Sequence, residues 1–126
     1  MRRRLGIVVA LLLIAGCGLM PSPERQASDR ARENARAAAA RAAGGPPADA
    51  GRLVAEVRGV EVLRATSVPG GTALVIRTSG RARGDAFGTE QVTMRRCFEL
   101  TVVAAEAPPR PHHVACPSGT PLTFRP

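Results

Sequence analysis

The chain of 126 residues contains no tryptophan, no tyrosine and only three phenylalanines, Phe87, Phe98 and Phe124. Nucleic-acid-binding modules interleave basic patches with aromatic rings on which bases stack, so a nucleic-acid partner is not expected. Lysine is absent too, and all 18 basic residues are arginine. A P-loop needs its lysine, and Gly80, Gly84 and Gly88 fit neither that motif nor the dinucleotide fingerprint. No Gly-x-Ser-x-Gly elbow presents a nucleophile, and no Cys-x-x-Cys or His-x-x-x-His turn presents a metal. Asp85, Glu90, Glu99 and Glu106 show no pairing of an acid with a base. Ser118, between Pro117 and Gly119, reads as turn chemistry, and Arg83-Gly84-Asp85 spells an adhesion tripeptide by coincidence of composition. The expectation is a protein that is not an enzyme and carries no cofactor. The enzyme alternative is metal-dependent, on Cys97, His112, His113 and Cys116, but adjacent histidines on a strand point to opposite faces.

A long hydrophobic run is also missing. The apolar stretch Leu5 to Ala15 is too short to cross a hydrocarbon core of about 30 Å, which takes roughly 20 apolar residues, and Pro21 and Pro23 block its extension. Behind Arg2-Arg3-Arg4, that run has the order of a secretory signal peptide, and it closes on Leu13-Ile14-Ala15-Gly16-Cys17. Arg2-Arg3 matches the twin-arginine export motif poorly in its following residues. An aliphatic residue, two small residues and a cysteine resemble the lipobox of bacterial lipoproteins. The resemblance covers the first twenty residues. It implies cleavage between Gly16 and Cys17, a diacylglyceryl group on the Cys17 thiol with acyl chains such as palmitate, and a location on the outer side of the cell membrane. At about 0.8 kcal/mol per buried methylene one chain holds a protein marginally, whereas two anchor it stably. The alternative is a secreted or singly anchored small protein whose Cys17 is incidental.

Three cysteines are odd for an exported protein. With Cys17 lipidated, Cys97 and Cys116 form an even pair in an oxidising compartment, and a disulfide between them is expected. Loss of Arg2, Arg3 and Arg4 with the signal takes the formal charge from +8 to +5. Abundant alanine, glycine and proline beside arginine suggest a GC-rich genome.

Residues 21–43 are polar or alanine on every side, with Ser22 as N-cap, Pro23 at the first helical position and Gly44-Gly45-Pro46-Pro47 as a stop. A helix without an apolar face bridges solvent or forms only in part. Residues 17–47 are therefore expected to be a lipidated cysteine followed by a helical or partly disordered spacer. Residues 48–126 are expected to form a small α+β domain, an antiparallel sheet of about four strands packed with one short helix.

The helix spans 48–57 and presents Leu53, Val54 and Val57. Strands fall at 60–68, 73–78, 91–104 and 113–116, with 79–88 an exposed loop. In the third strand Val92, Met94, Phe98, Leu100 and Val102 share one face with Arg96. Either the stem of Arg96 is buried and its head free, or a bulge shifts the register there. A hairpin symmetric about Glu106 and Ala107 sets Cys97 opposite Cys116. This back half resembles small exported proteins of high-GC Gram-positive bacteria, a likeness that implies no activity.

The functional expectation is a membrane-anchored binding or envelope-associated module. Its partners are membrane lipid through the covalent anchor and envelope polymers or another envelope protein. A polyanion would be gripped by Arg77, Arg81, Arg83, Arg95 and Arg96.

Overall fold

The computed structural model describes residues 22–84, 90–104 and 107–125. The expected signal peptide and Cys17 lie outside the described residues, as does Glu106 at the expected hairpin centre. The fold is α+β: helices pack on a four-stranded antiparallel sheet of order β1-β2-β3-β4.

Helix α1 spans Pro23–Ala43. The Ser22 side chain accepts a hydrogen bond from the Arg25 amide, and Pro23 and Glu24 suit the first turn. A 3-10 turn at Pro47–Asp49 leads into α2, Ala50–Ala55, which buries Leu53 and Val54 as expected. The strands are β1 Val60–Val68, β2 Gly71–Arg83, β3 Gln91–Val103 and β4 His112–Val114. Gly70 (φ 75°) makes the β1–β2 turn in a conformation that side-chain-bearing residues avoid.

The main correction concerns α1. It belongs to the domain and is no spacer, so the expected boundary between 47 and 48 does not hold. Ala27, Ala31, Ala35, Ala38 and Ala42 recur every third or fourth residue and are 0 % exposed, forming a stripe that lies on the sheet. Ala35, Ala38, Ala39 and Ala42 share one core with Val54, Val62, Leu74, Ile76, Phe98, Leu100 and Val102. Alanine buries little area per residue, but it lets the helix backbone approach the strands closely. The approach is closest at Gly80, where a Cβ would lie 1.9 Å from the Ala27 carbonyl oxygen and 2.6 Å from the Ala31 nitrogen. Beside it the fully buried Thr78 hydroxyl donates to the Ala31 carbonyl at 2.8 Å.

That docking also corrects the first part of the loop expected at 79–88, of which residues 85–88 lie outside the described residues. β2 runs on to Arg83 and pairs with β3 in an unbroken ladder from Gly71↔Val103 to Arg83↔Gln91. With no register shift near Arg96, its side chain stays on the helix side, half-buried, and its Nε donates to the Ser28 hydroxyl at 3.2 Å. The irregularity falls instead in β1, between Val62 and Arg64, where Leu63 is the extra, buried residue.

Cys97 and Cys116 form the expected disulfide, with Cα atoms 5.1 Å apart. Its register differs from the symmetric hairpin, because Cys97 pairs with Val114 and Cys116 lies two residues beyond. Prolines at 108, 109 and 111 lack the amide hydrogen a ladder needs, so β4 starts only at His112. From Cys116, tied to Cys97 on β3, the chain reaches the outer edge of β1, where the Leu122 amide donates to the Val62 carbonyl at 2.8 Å. Phe124 then packs against the core beside Gly51. The C-terminal segment thus covers part of an edge strand that would otherwise offer open hydrogen-bonding groups.

Candidate anion-binding face

Alternation along β2 puts Leu74, Ile76, Thr78, Gly80 and Ala82 under α1 and turns Arg77, Arg81 and Arg83 to the opposite, open face. In β3, Arg95 shares that face, since it pairs with Ser79 and its neighbour Arg96 pairs with the buried Thr78. The structure therefore brings Arg77, Arg81, Arg83 and Arg95 onto one surface and sets Arg96 on the other. Arg77 is not free there. It pairs with Glu61 directly across the β1–β2 ladder.

β1 begins at Val60, opposite Thr78, so β2 and β3 continue beyond it as a two-stranded ribbon. The edge left by β1 has defined partners. The Ser79 amide donates to the Gly59 carbonyl (2.9 Å), Asn34 Nδ2 donates to the Ser79 carbonyl (2.8 Å), and the Arg30 guanidinium donates to the Arg81 carbonyl. Gly59 takes a positive φ of 80°, and a Cβ there would stand 3.0 Å from Asn34 Nδ2.

The step at the end of β1 is a shallow recess of about 810 Å³ lined by Asn34, Arg58, Glu61, Ser79, Arg81 and Arg95. Three guanidinium groups line it against one carboxylate, which is engaged by Arg77. Among the described residues, Arg58, Arg81, Arg83 and Arg95 have no carboxylate partner within salt-bridge distance. Sequence reasoning missed Arg58, Asn34 and Ser79. Arg58-Gly59 just before β1 was the available signal for the first, whereas Asn34 reaches the recess only because α1 docks.

At the other end of the molecule, Arg41 and Arg52 are paired. Arg41 bonds Glu56 at 2.8 Å, and Arg52 contacts both Glu56 (3.2 Å) and Asp49 (3.8 Å). The Arg41 hydrogen bond is the main reason the Glu56 carboxyl lies below its ordinary pKa; desolvation opposes the shift, and the charges of Arg41 and Arg52 add to it.

A second, smaller groove of about 490 Å³ runs between Arg36 and Ala39 of α1 and residues 108–111. His113 stands edge-on to Phe98 with ring centroids 5.8 Å apart, while His112 pairs with Glu99 on the strand's other face. The two histidines thus diverge, and Cys97 and Cys116 are tied to each other. Among the described residues no group of three or more His, Cys, Asp or Glu converges as metal ligands, and no helix is long and apolar enough to cross a membrane.

Comparison with protein-family models, with curated proteins and with solved structures finds no match.

Proposed function

We propose that this chain is a lipoprotein anchored through Cys17, which displays its domain outside the cytosol as a binding module for polyanions and not as an enzyme. One observation carries the binding half of this reading: Arg58, Arg81 and Arg95 line a single recess without a free carboxylate, whereas Arg41, Arg52 and Arg77 are each ion-paired. Unpaired cations on one face attract anions at long range and yield to salt. The anchoring half is supported by the signal-like order of residues 2–17, and by α1 starting at the Ser22 cap only a few residues later.

Two measurements test the halves separately. Native protein fractionates with membranes and Cys17→Ser does not; a Cys17→Ser protein still membrane-bound at wild-type size removes the anchor. On a heparin-type polyanion resin the wild type elutes at higher salt than the Arg58→Ser/Arg81→Ser/Arg95→Ser variant. Identical elution of the two removes the binding face.

A further inference from the structure

We infer that the polyanion is the anchor's own membrane: the cationic end of the domain, where the first turns of α1 lie along the β2–β3 ribbon, rests on anionic lipid headgroups. This deepens the reading above and depends on Cys17 being lipidated.

The direction of α1 fixes which end faces the bilayer. Going back along the helix, Asn34 bonds Ser79, Arg30 bonds Arg81, Ser28 bonds Arg96, and Glu24 and Arg25 line one depression with Met94. The helix N-terminus and the far end of the ribbon therefore lie together, remote from the paired charges around Glu56. Four residues, 18–21, separate Cys17 from the cap Ser22. Fully extended, five Cα–Cα steps reach about 18 Å, so the anchor cannot hold this end far from the headgroups.

Charge complements that position. Across residues 24–32 and 81–96 the sequence sets seven arginines against four carboxylates, Glu24, Asp29, Asp85 and Glu90. Arg81, Arg83 and Arg95 project from the ribbon's open face, all exposed. Each arginine near an anionic leaflet strengthens association roughly fivefold, so the three together contribute about a hundredfold, lost at high salt. No apolar insertion is needed, because the acyl chains already hold the protein and the arginines set its orientation.

The test uses lipidated full-length protein, verified by intact mass, in vesicles of phosphatidylcholine alone or with phosphatidylglycerol. Backbone hydrogen exchange is read over 79–84 and 90–96. Expected is several-fold slower exchange of the ribbon in the phosphatidylglycerol vesicles only, abolished by high salt and by Arg81→Ser/Arg83→Ser/Arg95→Ser, with exchange around 71–75 unchanged. Equal exchange of wild-type protein in both vesicles overturns the inference and leaves the lipoprotein reading standing. Protection that needs an added polymer, such as polyglycerol phosphate, also overturns it, in favour of an envelope polymer. A protein without acyl mass overturns both.

Discussion

Replacing Gly80 with alanine adds one methyl carbon 1.9 Å from the Ala27 carbonyl oxygen, 2.6 Å from the Ala31 nitrogen and 3.0 Å from the Ala27 carbonyl carbon. All three atoms are α1 backbone, so no flexible side chain can yield. Restoring ordinary contact means lifting the helix by more than 1 Å, since relaxed Cβ contacts begin near 3.4 Å. That shift stretches the Thr78 hydroxyl bond to Ala31 and loosens the alanine stripe. Overpacking costs roughly 1–3 kcal/mol, and a strained buried hydrogen bond adds about 1 kcal/mol, so we expect a loss of about 3 kcal/mol. Small domains have roughly 5–15 kcal/mol in total. With a urea slope somewhat above 1 kcal/mol/M, the midpoint falls by roughly 2 M. Gly80 does not have a positive φ, and alanine alone would add about 0.4–1 kcal/mol by restricting the unfolded chain. The two possibilities thus differ in sign. A Gly80→Ala midpoint at or above wild type refutes a docked α1 and returns residues 79–83 to a free loop.

Three further outcomes follow from other contacts. Reducing Cys97–Cys116, which closes a separation of 19 residues, lowers stability by about 3 kcal/mol in denaturant titration, and Cys97→Ser/Cys116→Ser matches it without reductant. Phe124→Ala, which removes the ring packed beside Gly51, costs about 2 kcal/mol and speeds amide exchange at Leu122, whose bond to Val62 ties down the tail. The Glu56 carboxyl titrates below the ordinary glutamate value because Arg41 hydrogen-bonds it, and Arg41→Gln brings its NMR midpoint back up. Its folded-state pKa being depressed, any stabilisation from this group is present above the unfolded-state pKa and fades as pH falls through the folded one; Glu56→Gln lacks that acid-side loss.

The sheet was legible because period-two patterning needs only the order of residues. The limits of β1 and the continuous β3 follow from Val60 to Val68 and from the alternation around Phe98, and Pro69-Gly70-Gly71 marks the turn. The Ser22 cap and Pro23 start α1 where the sequence predicts. The face of α1 was not legible in the same way, since alanine is too small to register as an apolar stripe among arginines. Its spacing at 27, 31, 35, 38 and 42 carried the information, and it became meaningful only opposite Gly80, whose role is to be absent of side chain. The strand at Gly80 and the buried face of α1 depend on each other, so the expected loop and the expected spacer fail together. The recess shares that cause. Of the five arginines expected to grip a polyanion, Arg81 and Arg95 line it, but Arg77 reaches Glu61 across the ladder, and Arg96 turns under the helix because no bulge intervenes. Cross-strand partners depend on register, which residue order constrains only loosely.

The proposed anchor at Cys17 underlies both the proposed location and the proposed orientation of the ribbon, and intact mass of the native membrane-extracted protein, with and without reductant, tests it most directly. The account predicts a chain beginning at Cys17 that carries diacylglyceryl mass and gains two hydrogens on reduction. A chain retaining residues before Cys17, or one lacking acyl mass, contradicts it.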